Sequence, residues 1–313
     1  MNGTFTNARL LAGTTIFIAI LGACLISLPW TSHDLPPKYD EDGFPLNIHN
    51  PYFYDAQDLA SSWNHPSRDT FVDWFGRDQL GRPLISRCLM GGCISLAIGT
   101  AAAAIAVLLG VFVGLVAGFQ GGWLDALLMR GVDVLYGLPY ILLIILFKIA
   151  LEPPLTTLLG SPHSANLVVL FLAIGLVSWL TMARVVRGQV LSLRTLPFIE
   201  AARALGVPRW RIFLRHLLPN LLGPIIVYAT LTIPQAILQE SFLSFLGIGI
   251  AAPMPTWGSL AADGLTPGLN SNEPRWWALL FPCTLLVLTL LSLNFLGDGL
   301  RDVLDPKREA AKI

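Results

Sequence analysis

Apolar residues run through this chain in long blocks, with the polar residues collected between them. The blocks at 10–28, 93–119, 124–151, 166–182, 217–238 and 276–295 are each long enough to cross a hydrocarbon core, which takes about 20 residues of helix. Six spanning helices are expected. The first follows Arg9 and ends at Pro29-Trp30. It reads as an uncleaved span rather than a signal peptide, whose apolar core is shorter and leads to a small-residue cleavage site. An amphipathic lead-in at 84–89 precedes the second span. Within that span Ala101, Ala102, Ala103 and Ala104, then Gly110, Gly114 and Gly118, leave one face almost bare. Overlapping Gly-xxx-Gly spacing lets helix backbones approach closely; packing within the chain is the first reading and a homodimer seam the second. The fifth span carries Pro219, Pro224 and Pro234, which free backbone carbonyls and permit kinks.

The polar segments differ among themselves. Residues 31–82 are rich in Pro, Asn, Tyr, Trp and acid, and form a soluble excursion of loop character. Its stretch 74–82 reads as an ordered turn, because Gly76 and Gly81 bracket paired charges. The hinge Gln120-Gly121-Gly122 leads to the third span. Residues 152–165 read as a short loop with Pro153, Pro154 and Pro162 and no basic residue, and 240–275 as a second polar excursion. Trp276-Trp277 opens the sixth span, as suits an interfacial aromatic belt.

Charge sets the orientation. Arg184, Arg187, Arg194, Arg203, Arg209, Arg211 and Arg215 crowd the segment 184–216, where Glu200 is the only acid, and the tail adds Arg301, Lys307, Arg308 and Lys312. Basic residues collect on the cytoplasmic side of short loops, so six spans with both termini cytoplasmic are expected. The third helix carries Asp125, Arg130, Asp133 and Lys148. Ionisable groups inside a span are functional candidates. Their terminal positions favour headgroup anchoring or mutual pairing (Arg130 and Asp133 share a face) and snorkelling of Lys148 over proton transport.

Composition agrees and excludes. The chain is 54% hydrophobic and 13% charged, where a soluble domain carries about a quarter charged residues, so an all-α integral membrane protein is indicated. Cys24, Cys88, Cys93 and Cys283 have no CxxC or Cys/His ligand spacing, and read as buried small residues rather than a metal site or disulfide framework. A phosphate loop needs Gly-xxxx-Gly-Lys-[Ser/Thr], but Lys38, Lys148, Lys307 and Lys312 all follow residues other than glycine. No catalytic constellation is evident. An enzyme, a metal, a cofactor and a nucleic-acid partner are not expected.

The segment 200–220, EAARALGVPRWRIFLRHLLPN, has its own punctuation. Ile199 to Leu205 favour helix, Gly206 suits a left-handed C-terminal turn, and Pro208 suits the first position of a second helix. That second helix continues through Trp210, Ile212, Phe213 and Leu217 into the membrane. Small alanines allow close docking into a groove, with Glu200 as a lone anion for a partner's cation. A basic loop lying on acidic lipid explains the arginines, but neither the glycine–proline punctuation nor the alanines.

Glu200-Ala201-Ala202, Gly206, Ile212 and Leu218-Pro219 resemble the EAA loop of permease subunits of binding-protein-dependent ABC importers. The blocks WFGRDQLGRPLISR (74–87), ESFLSFLGIGIAAPMPTWGSL (240–260) and NFLGDGLRDVLDP (294–306) resemble the dipeptide/oligopeptide branch, second-subunit type, in order and spacing from Trp74 onward. The first block departs from the family in Arg77 and Pro83, which stand where a small hydroxyl residue and an acid are usual. The resemblance implies the type I ABC importer permease fold and a multi-pass place in the bacterial inner membrane. It implies as partners a homologous second permease, two cytoplasmic ATPase subunits and an external solute-binding protein. It also implies an ATPase-coupling loop of Glu200, Ala201, Ala202, Arg203, Gly206, Ile212, Leu218 and Pro219. The division expected is 1–30 for the N-terminus and first helix, 31–91 for the external loop and lead-in, 92–297 for the transport core with its coupling loop at about 184–216, and 298–313 for the tail.

Import of short peptides is the function implied. Related systems serve nickel complexes, glutathione, peptide antibiotics and sugars, and no substrate-binding residue is assigned. The rival from another class is a secondary transporter driven by an ion gradient, which would favour membrane-embedded carboxylates and inverted repeats with paired broken helices. The helix centres lack such carboxylates, and no repeat is visible.

Overall fold

The computed structural model describes residues 2–35, 38–39, 45–46, 50–270 and 272–304. The tail residues Lys307, Arg308 and Lys312 and the end of the 294–306 block lie outside them. The helices are α1 (Asn2–Thr31), α2 (Leu84–Gln120), α3 (Gly122–Tyr136), α4 (Tyr140–Leu159), α5 (Pro162–Leu193), α6 (Pro197–Ala204), α7 (Arg209–Ile212), α8 (Leu218–Phe245), α9 (Trp257–Gly268) and α10 (Trp276–Leu304). A π-helical turn, Phe213–Leu217, joins α7 to α8. The excursion after α1 holds a two-residue antiparallel pairing, Lys38–Tyr39 with Pro45–Leu46, and two short 3-10 turns. Among the described residues six helical segments are long and apolar enough to cross a membrane.

The boundaries correct the sequence expectation in four places. The lead-in at 84–89 belongs to α2, with Leu84, Ile85 and Cys88 buried. The third span is two helices, because Pro139 provides no N–H and biases Leu138 away from helical backbone; α3 is a separate 15-residue helix and α4 is the span. Residues 152–165 are mostly helical. Pro153 and Pro154 lie inside α4, and Gly160 closes it in the left-handed region at φ 64°. Ser161 then caps α5 with Pro162 in its first turn, a strong start signal. Finally, α5 and α8 outrun their predicted ends, so Arg184 and Arg187 are helical, as are Glu240, Ser241 and Ser244.

The chain forms two compact units. The first comprises Met1–Thr14, Gly99–Ala236 and Ser292–Ile313, the second Thr15–Ile98 and Ile237–Leu291. In the first, α5 is the buried element, with Ala165, Val169, Leu170, Ala173 and Ile174 sealed from solvent. The bare face of α2 packs on it. A Cβ added at Gly110 would lie 2.5 Å from Cβ of Met182, one at Gly114 2.6 Å from the Ala183 carbonyl oxygen, and one at Gly118 2.8 Å from Cβ of Val190. The expected close approach is therefore made within the chain. In the second unit Leu84, Cys88, Leu260, Trp277 and Ala278 form the core. Trp257 is sealed there too, its indole N–H donating to the Cys88 carbonyl at 3.0 Å.

Candidate functional site

The loop end of the first unit is built around α6. Pro197 starts this helix and Glu200 lies in its first turn. Its end is a full Schellman closure: Gly206 N–H donates to the Arg203 carbonyl at 3.0 Å and Val207 N–H to that of Ala202 at 3.1 Å. Gly206 sits at φ 73°, where an L side chain is strained. The left-handed turn expected from the sequence is present. Pro208 is one position earlier than expected, as the cap of α7 rather than its first helical residue.

One face of α6 is locked and the other is free. Ile199 and Ala202 pack with Ile212 and Leu217 in a buried cluster that Phe119, Leu193, Val207 and Phe213 cover. Arg194 reaches from the end of α5 to donate to the Gly118 carbonyl at 3.0 Å. Glu200, Ala201, Arg203 and Gly206 are exposed. The alanines thus divide: Ala202 belongs to the core and Ala201 to the surface. Leu205 is 83% exposed and Phe198 45%; both are exposed apolar groups of this helix and its cap that the sequence reading passed over. Their signal was an apolar residue at each flank of a run of alanines.

Ile212 is buried, Leu218 half-buried and Pro219 exposed. Leu218 and Pro219 therefore shape the route into the membrane rather than the face of α6. Pro219 cannot donate to the Arg215 carbonyl, and its ring crowds the preceding turn. The backbone answers with the wider π turn: Leu218 N–H donates to the Phe213 carbonyl, and the Asn220 side chain donates to that of His216 at 2.6 Å.

Two arginines read as part of a free basic loop are instead clamped to α3. Arg187 makes a bidentate pair with Asp125, its second nitrogen at 2.7 Å, and Arg184 pairs with Asp133 at 2.7 Å while lying over the Tyr136 ring. The sequence predicts headgroup anchoring or pairing of Arg130 with Asp133; among the described residues Asp133 and Asp125 instead bind arginines of α5. The spacing was legible, since residues eight apart on one helix and three apart on another each share a face.

The second unit holds two polar constructions. In the turn 74–82, Asp78 accepts from the Leu80 and Arg82 amides at 2.9 Å each and from the Arg82 and Arg87 guanidiniums; Arg82 also reaches Asp55 at 2.9 Å. Burial disfavours the Arg82 charge, but Asp78 and Asp55 outweigh it and hold the guanidinium above its ordinary pKa. Burial likewise pushes the Asp263 carboxyl up, against Arg87 and Arg82. The family departures Arg77 and Pro83 face each other in an antiparallel bridge, where Arg77 binds Asp73 at 2.8 Å and the Gly81 carbonyl at 2.9 Å. Partial burial alone would raise the Asp73 carboxyl, but bonds from Thr70 and Arg77 together carry it below its usual range. The turn is ordered, as expected.

The other construction is Glu240, sealed from solvent near the end of α8. Its Oε1 accepts from Ser244 at 2.7 Å and its Oε2 from Ser95 at 3.0 Å and from Ser241 at 3.4 Å. Ser95 Oγ in turn accepts from the Trp257 amide at 3.3 Å. Thr256 caps α9 in a reciprocal capping box with Ser259. Among the described residues hydroxyls rather than a cation bond this carboxyl group, so its geometry is that of a joint between α2, α8 and α9.

Comparison with known proteins places this architecture. Residues 110–310 match the family described as binding-protein-dependent transport system inner membrane component. The dipeptide transport system permease protein DppC of Bacillus subtilis is 44% identical over 82% of this chain and 75% of its own length. The oligopeptide transport system permease protein OppC of Escherichia coli K12 is 46% identical over 82% and 79%. Among solved structures, an inward-facing conformation of the MetNI methionine ABC transporter matches with a TM-score of 0.57 at 21% identity, covering 71% of this chain and 98% of that one.

Proposed function

The chain belongs to the family of binding-protein-dependent transport system inner membrane components, the multi-pass permeases of ABC importers, and from that premise we propose that it imports short peptides and takes its driving force through α6. The permease family, the fold and the membrane location follow from the matched profile, the relatives and the six apolar segments. The substrate class rests on relatives named for dipeptides and oligopeptides.

In this reading the chain pairs with a homologous second permease, two cytoplasmic ATPase subunits and an external solute-binding protein. Both termini and the 184–216 segment face the cytoplasm, since the basic residues cluster there. Hydrolysis belongs to the ATPase subunits. The observation that carries the coupling role is the two-sidedness of α6. Its inner residues Ile199 and Ala202 are fixed to Ile212 and Leu217, while Glu200, Ala201 and the apolar Leu205 project from it. An exposed acid and a small alanine on a helix anchored from behind leave room for a partner's groove and a charge for its cation. A push on that face is transmitted, because the side behind it is packed rather than loose. Closure of the ATPases around ATP then biases the permease pair between inward- and outward-facing states.

The test is uptake by the complete assembly in proteoliposomes loaded with ATP. Glu200→Lys and Gly206→Val are expected to insert normally yet lose about tenfold or more of the uptake per ATP hydrolysed. Undiminished coupling in the double variant would remove the role from α6. Peptide binding by the partner solute-binding protein checks the substrate; selective binding of a nickel complex, glutathione or a sugar would replace it.

A further inference from the structure

Two cavities of the first unit meet at the end of α2. One, of about 380 Å3, is lined by Arg194, Arg203 and Arg209 with Phe119 and Gln120. The other, of about 430 Å3, is an apolar groove along Phe112, Leu115, Val116, Trp210 and Phe213, and it shares Phe119 and Gln120 with the first. Their chemistries are opposite. The first is lined by three arginines and no carboxylate, Arg194 also donating to the Gly118 carbonyl; the second presents hydrocarbon, with Phe112 67% and Trp210 60% exposed.

Their order along α2 matches a membrane boundary. The apolar run 93–119 of α2 ends just before Gln120, so the arginine cavity lies where the surface of the helix turns from apolar to polar. Phe112 and Val116 lie one to two turns further into the apolar depth, on the same side of the helix. We propose that the paired cavities are a built site for one anionic phospholipid. Its phosphate sits among Arg194, Arg203 and Arg209, and one acyl chain lies along the groove beside Phe112, Phe119 and Trp210.

Charge and shape together choose this occupant. A free phosphate would use the arginines and leave the groove bare. A zwitterionic lipid would set its own cation among three others. An anionic diacyl lipid fills both halves, and basic pockets beside spanning helices suit such headgroups. The arginines come from three places: Arg194 ends α5, Arg203 lies on α6 and Arg209 opens α7. A bound headgroup therefore ties both arms of the Gly206 turn to α2. The site does not depend on the coupling role of α6.

Lipid binding by the full-length chain, followed by native mass spectrometry in detergent, tests this directly. Phosphatidylglycerol is compared with phosphatidylcholine of the same acyl chains and with inorganic phosphate. Phosphatidylglycerol is expected to bind about tenfold or more tightly than phosphatidylcholine. R194Q/R203Q/R209Q should reduce it to the phosphatidylcholine level, and F112S/W210S should weaken both lipids. Equal binding of the two lipids by the unaltered chain overturns the site without reference to any variant. Displacement by equimolar inorganic phosphate would make it a soluble-anion site, and a photo-crosslinker at position 210 that captures only protein in the assembled transporter would make it a subunit contact.

Discussion

At the scale of the residue, the informative side chains are ionisable groups taken out of water. Glu240 is the sharpest case, because a buried carboxyl group is tolerated only with its oxygens bonded, and here hydroxyls bond it. Glu240→Ala strands those donors and is expected to cost about 2–4 kcal/mol of stability. Glu240→Gln keeps the shape and one carbonyl oxygen, and should cost less than half as much; thermal unfolding of the purified chain measures both, and equal losses would show that the oxygens are not what matters. Asp73 and Asp263 predict opposite pH effects. The Asp73 carboxyl is held below its ordinary value, so its contribution is complete above the usual carboxylate range and disappears as pH falls through the folded value. Asp263 is raised, so its contribution is complete at low pH and disappears as pH rises through its folded value. Near neutral pH, Asp73→Asn should lower stability by about 1 kcal/mol or less, because the group is partly open to water, and Asp263→Asn should not lower it. Convergence of Asp73→Asn with the unaltered chain below about pH 4 is the accompanying sign.

At the scale of the element, local chemistry was readable wherever backbone punctuation acts locally. Gly206 and its Schellman turn stand where the glycine promised, and the turn between Gly76 and Gly81 is ordered. The loop read at 152–165 failed because two adjacent prolines suggested a break, while the actual one was written in Gly160-Ser161-Pro162. Thr156 and Thr157 side chains bond back to the Glu152 and Pro153 carbonyls within that helix. The contact of α2 with α5 depends on missing side chains, which makes it testable. Gly114→Leu would drive a side chain into Ala183 and Val186, an overpacking expected to cost about 1–3 kcal/mol. Gly131→Leu, on α3 with nothing within 4 Å of an added Cβ, is the control and should leave the unfolding midpoint nearly unchanged; equal behaviour of the two variants would deny the seam.

At the scale of the whole molecule, the orientation proposed from the arginines is open to direct labelling. In a chain whose native cysteines are replaced, an impermeant maleimide should label Arg68→Cys in the excursion from outside intact cells. Ala204→Cys at the end of α6 should react only after the membrane is opened. The opposite pattern would invert the topology and detach α6 from any cytoplasmic ATPase. Both positions are exposed, so access is set by the bilayer rather than by the fold.

What the amino-acid sequence determined by itself is whatever hydropathy and backbone chemistry dictate over a few turns: six spans, the helix–glycine–proline–helix of the loop, and the motif blocks that identify the family. Only the tertiary structure decided the partners. Asp125 meets Arg187 across 62 residues of chain and Ser95 meets Glu240 across 145, and Ala201 and Ala202 part company between surface and core. A charge or a bare helix face states what it needs but not which distant segment supplies it, because that choice is made by the packing of whole helices. The arginines of the loop show the division best: their number predicted a cytoplasmic surface, and their positions in space separate two that clamp α3 from three that line a cavity.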